Sequence, residues 1–240
     1  MLTAHAFLPT ATIESLGAAP PLPHDLEAEV ESLWQAEQRR RGQALFNGYI
    51  LSATEIGPAR IAGRRVEYRR LMAQRLRPEL FETLRVRPVA VSGILRCADG
   101  VVFGRRAQSS VQDPGLWELV PSGGIDTAGI VGAGPIDLRN QILTELNGEV
   151  GLDANLVTVS APFCLIEDDE SKVLDIGLAL TAPTLTADAI LESHHGSGAG
   201  EYDELVVIPQ AELEHFLEQV GAQLVSVSRM LLSLNRDLIS

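Results

Sequence analysis

Residues 143–152 read LTELNGEVGL. The segment closes an amphipathic run, and a helix is predicted over about 136–150. It ends at Gly151, a residue that adopts the left-handed C-cap conformation without a Cβ clash. Residues four apart share a helix face. Asp137, Gln141, Glu145 and Glu149 therefore form one line, and Leu138, Ile142 and Leu146 form the neighbouring line, which can dock on a sheet. Two carboxylates at the end of a polar row are hard oxygen donors of the kind that suits Mg²⁺ or Mn²⁺. The same spacing is also what a solvated helix face carries, so the surrounding elements must decide between the two.

Upstream, residues 1–24 read as a loose arm ending in APPLPH. A helix follows over about 25–41, with Leu26, Val30, Leu33 and Trp34 at helical spacing. FNGYILSATEI alternates like a strand, and RRVEYRRLMAQR reads as strand and then helix. From Pro88 the pattern changes. VAVSGILRC and VVFGRR are two strands joined by the turn Ala98-Asp99-Gly100. The loop AQSSVQDPGLWELVPSGGI and the small-residue linker TAGIVGAGP lead into the helix. LVTVSAPFCLIE and KVLDIGLALTA are two strands, HHGSGAGEYDE is a loop, and ELVVIP is a short strand. Helices over about 210–220 and 224–234 close the chain. The expected organisation is a small N-terminal arm and α/β region over 1–87, then an α/β/α sandwich with a mixed sheet over 88–240. No GxGxxG follows the first strand and no GxxxxGK[ST] is present, which disfavours dinucleotide and P-loop sites.

The formal net charge is −13, which argues against a nucleic-acid partner. No apolar run reaches the ~20 residues of a membrane helix. Cys97 and Cys164 are the sole cysteines, without a CxxC pair, so a disulfide framework and a structural zinc site are not expected. A cytoplasmic location is the expectation. The charge is unevenly placed: 39–106 holds fifteen arginines and five acidic residues, and the remainder holds four basic and twenty-seven acidic ones. The basic segment should meet something anionic, either a ligand or acidic residues of the chain or of a second subunit.

The order strand, hairpin, strand, PGLWELVPSGG, helix with LTELNGEVGL, two strands and EYDELVVIP resembles the Nudix hydrolase superfamily over about 88–220. That family's box is GX5EX7REUXEEXGU, with U aliphatic. Its second half lies without gaps on TELNGEVGL, which puts its glutamates on Glu145 and Glu149 and its closing pair on Gly151 and Leu152. Its leading glycines fall on Gly123 and Gly124. The box departs from the pattern in three places. Thr144 stands for the arginine, Gly148 stands for one glutamate, and the interval from Gly124 to Thr144 is six residues too long. The TAGIVGAGP insert replaces the first box glutamate, so the arginine and the glutamate that brace each other in the family are both missing. The resemblance implies a metal site of Glu145, Glu149, the Gly123 carbonyl and Glu201, with Mg²⁺ or Mn²⁺ as cofactor. Asp137, Gln141 and Glu204 are alternatives for the carboxylate lost at Gly148. Glu145 and Glu149 are the expected catalytic pair.

ESLWQAEQRRRGQALFNGYILSA, VEYRRLMAQ and PVAVSGILRCADGVVFGRR resemble a branch that hydrolyses UDP-glucose and related UDP-sugars to UMP and sugar 1-phosphate. The expected partner is a small nucleoside diphosphate, with a homodimer as a further expectation. Arg105, Arg106, Arg69 or Arg70 would meet the diphosphate, and strand alternation allows at most one of Arg105 and Arg106 to do so. Tyr68, Tyr49 or Trp117 would stack on the base, although core packing is the commoner role of such aromatics. His194-His195 resembles a metal pair but lacks a spaced third ligand. Alternatives are an ADP-ribose, dinucleotide or coenzyme A hydrolase, or a Nudix-fold module that binds nucleotide without turnover.

Overall fold

The computed structural model describes residues 1–41, 45–127, 132–197 and 200–235. Its first part holds β1 (Leu2–His5), β2 (Thr12–Ala18), α1 (His24–Arg41), β3 (Tyr49–Gly57), β4 (Arg60–Glu67), α2 (Tyr68–Leu76) and the short α3 (Phe81–Leu84). Then come β5 (Val89–Cys97), β6 (Val101–Arg106), β7 (Trp117–Leu119), β8 (Ser122–Gly124), β9 (Ala133–Ile136) and α4 (Leu138–Val150). β10 (Thr158–Val159), β11 (Cys164–Asp168), β12 (Leu174–Ala182), α5 (Ala187–Ser197), β13 (Tyr202–Ile208), α6 (Leu213–Val220) and α7 (Ser226–Leu234) complete it.

β5 and β12 are near-continuous apolar runs, the pattern of strands covered on both faces. They pair in parallel at the centre of the larger sheet, from Leu174↔Val89 to Ala182↔Cys97. The sheet order is β1-β11-β12-β5-β6-β13. Alternation sends side chains of β5 to two separate cores. Val89, Val91 and Leu95 join Ile142, Leu146 and Val150 of α4 and Ile190 of α5. Ile94 joins Phe103 of β6, Leu213 of α6 and Leu231 of α7. Helices thus cover both faces of a mixed sheet, the α/β/α arrangement that the element order predicts. Ile142 and Leu146 are fully buried, and each contributes about 2 kcal/mol through removal from water.

β5 and β6 diverge after a single registered pair, Arg96↔Val101. The gap is filled by two short strands: β7 pairs with β6, and β8 pairs with β5. The Val120–Pro121 peptide between them is cis. This split places the ends of β6, β7 and β8 around one opening.

Two expectations need correction. The 1–24 arm is not loose: β1 pairs with β11 at the edge of the large sheet. β2 lies inside a second, four-stranded sheet of order β3-β4-β2-β9. Its alternation buries Ile13 and Ser15, a period too short to stand out in TIESLGA. The TAGIVGAGP linker also contributes structure, since β9 pairs with β2 through Ile13↔Ile136 to Leu16↔Ala133; its residues 128–131 lie outside the described set. One strand from each side of residue 88 therefore belongs to the other side's sheet. Ile13, Leu51 and Ile61 of the second sheet share the core of α4. Among the described residues, no helix is long and apolar enough to cross a membrane.

Candidate active site

α4 is positioned at both ends by its own sequence. The Asp137 carboxylate accepts the Asn140 N–H at 3.1 Å as an N-cap. Gly151 has φ 78° and returns its N–H to the Asn147 carbonyl at 2.9 Å. Between these ends the apolar line is buried on the sheet, and the polar line faces β8. Glu145 lies directly on Gly123, where a Cβ would overlap the carboxylate. Gln141 is buried, and its Nε2 donates to Glu145 Oε1 at 2.6 Å and to the Gly124 carbonyl at 3.3 Å. Glu149, 6% exposed, accepts the Ser122 N–H at 3.3 Å, and its Oε2 lies 3.2 Å from the Tyr202 hydroxyl, whose single proton it shares with Glu118.

Glu118 on β7 joins this pair. It is 5% exposed, and its Oε1 accepts from Arg106 Nη1 at 2.5 Å and from the Tyr202 hydroxyl at 3.1 Å. Arg106 Nη2 reaches Glu201 at 2.9 Å. One guanidinium therefore bridges two carboxylates, Glu118 and Glu201, and Glu145 and Glu149 complete a set of four on the same wall. Burial pushes the Glu118 carboxyl up to about 7, against the pull of Arg106. Burial raises Glu149 well above the ordinary value, with the charge of Glu118 next in effect. Glu145 is raised by burial, with Asp126 and Glu201 adding to it. These elevations are led by burial, with neighbouring carboxylates adding to those of Glu145 and Glu149, and carboxyls so perturbed in a cleft mark a candidate functional site.

These four carboxylates, Arg106, Gly123 and Gly148 line a cavity of about 1260 Å³. α1 and α2 supply other parts of the wall, with Arg40, Arg41 and Arg75. Glu37, 4% exposed, accepts from Arg40 Nε and from Arg41 Nε. Those bonds, led by Arg40, hold its carboxyl down at about 2. No group of three or more His, Cys, Asp or Glu side chains stands preassembled around a metal position among the described residues. A small hard cation does not demand one. Mg²⁺ keeps several waters and uses one or two carboxylates together with substrate phosphate, and the donors here are of that class.

Of the residues expected at the site from sequence, Glu145, Glu149, Gly123, Glu201 and Arg106 line this cavity. Arg105 turns the other way, to Glu204 at 3.0 Å and over the Trp117 ring at 5.8 Å. Trp117 packs edge-on against Phe216. Arg69 is held by Glu27, Glu31 and Glu67, and Tyr68 packs on Trp34. Arg70 donates to the Pro20 carbonyl, and Tyr49 lies under Arg65. None of these six lines the cavity. Asp137 is occupied as the N-cap of α4. The loop expected around His194-His195 is the last turns of α5. His194 is buried there, and neither ring nitrogen has a partner among the described residues. Glu118 and Tyr202 escaped the sequence reading. The one signal was a lone carboxylate inside the apolar run LWELVP.

No family model matches the sequence, and no curated protein matches it. Solved structures similar to this chain include a Nudix-family hydrolase from Clostridium perfringens, with TM-score 0.40 and 15% identity over 64% of this chain and 99% of that one. An Ap4A hydrolase binary complex from C. elegans has TM-score 0.41 and 10% identity, over 63% of this chain and 97% of that one. A bifunctional NMN adenylyltransferase/ADP ribose pyrophosphatase from Francisella tularensis, complexed with AMP and Mn ion, has TM-score 0.43 and 12% identity. That match covers 90% of this chain, which spans about half (49%) of the bifunctional protein. What this chain does is decided by its own side chains.

Proposed function

We propose that the chain is a divalent-cation-dependent hydrolase of nucleoside diphosphates linked to a second group, with a UDP-sugar as substrate and UMP and sugar 1-phosphate as products. The observation that carries this reading is the set of four carboxylates, Glu118, Glu145, Glu149 and Glu201, on the wall of a large cavity, two of them paired with Arg106. Glu145 and Glu149, with the Gly123 carbonyl and Glu201, would hold Mg²⁺ or Mn²⁺. The cation, when bound, neutralises the diphosphate oxygens and the charge that grows on them.

The reaction needs a water oxygen to bond one phosphorus while the bridging P–O bond breaks. The bridging oxygen leaves with the electron pair on the other phosphate, and the water loses a proton. Glu118 is suited to take that proton, since its carboxyl is pushed up to about 7 and a base works best near the operating pH. Its Oε2 has no partner among the described residues, because Arg106 and Tyr202 both bond Oε1. Arg40, Arg41 and Arg75 line the same cavity and offer positive charge to the substrate's phosphates. The UDP-sugar preference rests on the resemblance of 31–53, 66–74 and 88–106 to that branch.

The test is a panel of UDP-glucose, ADP-ribose, coenzyme A and a dinucleoside polyphosphate with Mg²⁺ and Mn²⁺, read by phosphorus NMR. UMP and glucose 1-phosphate should appear from UDP-glucose. Glu149→Gln should lower kcat at least about 100-fold. Absence of turnover across the whole panel would sink the hydrolase reading. Nucleotide binding without product would replace it with that of a binding module.

A further inference from the structure

The larger sheet carries an unusual patch on its α6/α7 face. In-register neighbours across three strands are Asp175, Ala90 and Gly124 in one row, and Gly177, Ser92 and Ser122 in the next. Two residues further along β5, the same face carries the apolar Ile94. Asp175 sits mid-sheet in β12, is 7% exposed and lines the cavity, as do Ser92 and Ser122. A buried carboxylate in the central strand of a sheet is costly without a purpose.

Its partners form a chain. Ser92 Oγ donates to Asp175 Oδ1 at 2.9 Å, and Ser92 Oγ lies 3.1 Å from Ser122 Oγ. No donor reaches Oδ2 among the described residues. Each serine has one proton. The Ser92 proton is given to Asp175, so the Ser122 proton is given to Ser92. What the chain presents to the cavity is acceptors alone: Asp175 Oδ2 and the Ser122 lone pairs. Burial pushes Asp175 up to about 6, still below neutral pH, so the carboxylate is charged there. An acceptor-only edge repels phosphate. It also opposes a uracil imide, whose N–H is flanked by two carbonyl oxygens. It accepts vicinal hydroxyls, and the small neighbours Ala90 and Gly124 leave room for a ring above them.

We infer that Asp175, with Ser92 and Ser122, is the subsite that binds the hydroxylated ring of the nucleotide-linked group. The inference rests on the UDP-sugar reading above. β8 stands between this floor and Glu145, so the ring and the diphosphate would meet opposite faces of one short strand. Asp175 is a specificity determinant and takes no part in proton transfer.

The experiment uses calorimetry on the full chain with Ca²⁺ in place of Mg²⁺. The probes are UDP-glucose and the methyl ester of UDP, which has the same charge and no ring. Asp175→Asn keeps the shape and, with its oxygen at the Oδ1 position, still accepts from Ser92, but replaces Oδ2 with a donor. It should raise the Kd of UDP-glucose about tenfold to a hundredfold and leave the methyl ester within about twofold. Ser92→Ala should act in the same direction with a smaller loss, and carries the measurement if Asp175→Asn does not fold. Equal losses for both probes, or no loss for either, would overturn the subsite. If the unaltered chain binds neither probe, the UDP-sugar reading falls and the subsite falls with it.

Discussion

At the scale of single residues, two glycines have opposite meanings. Gly123 has its missing side chain filled by the Glu145 carboxylate. Gly123→Ala must push that carboxylate aside, so turnover should fall at least about tenfold, whereas Tm should drop by only a few degrees. Unchanged kcat/KM with UDP-glucose would show that Glu145 is not held in place by this contact. Gly148 faces open space, with nothing within 4 Å of a built Cβ. Gly148→Glu should therefore fold, gain about 0.5 kcal/mol of helix propensity, and place a further carboxylate on the cavity wall. Calorimetric Mn²⁺ titration should show tighter binding than in the unaltered chain. The position is vacant for want of a side chain, not for want of room.

At the scale of elements, α4 is the part on which the site depends. Its N-cap is a single Asp137–Asn140 bond, and its apolar line is anchored by Ile142 and Leu146. Asp137→Ala should cost about 1 kcal/mol, seen as a Tm decrease of a few degrees. Because Asp137 does not line the cavity, kcat at 25 °C should change less than about twofold. A large loss of kcat with Tm unchanged would instead restore Asp137 to the ligand set. The helix and its terminal glycine were legible in 136–151, since each follows from local spacing, whereas Asp137 read as part of the polar line and its capping role was not legible. β2 and β9 were not. They are short, and their partners lie more than a hundred residues apart in the chain, so neither carries a local signal.

At the scale of the whole molecule, charge is partitioned rather than pooled. Most of the basic segment meets acidic residues of the same chain: Arg69 with Glu27 and Glu31, Arg77 with Glu29, Arg87 with Glu167, Arg105 with Glu204 and Arg106 with Glu201. The cavity keeps the surplus. Glu118 has its folded pKa raised to about 7 from 4.5. In the window between those values the folded state holds a proton that the unfolded state has lost, so stability falls as pH rises through it. The metal-free chain should lose on the order of 2–3 kcal/mol from this group between pH 4.5 and 7.5. Thermal unfolding at pH 5 and pH 8 in EDTA measures the loss. Glu118→Gln should shrink the difference, and Mg²⁺ should restore stability at pH 8. A Tm that rises with pH equally in both proteins would contradict this account.

The residue order alone was enough for the helix that carries Glu145 and Glu149, its C-cap glycine, the strands on either side and the α/β/α class. These depend on periodicity and turn chemistry, which act over a few residues. Three-dimensional packing decided which charges meet. It brought Glu118 and Tyr202 to Glu149, turned Arg105 away from Arg106, engaged Arg69 with glutamates of α1, and set Asp175 beside Ser92 on the sheet. Ion pairs and cavity walls join residues distant in sequence, and their geometry follows from strand register and helix docking, which no local pattern specifies.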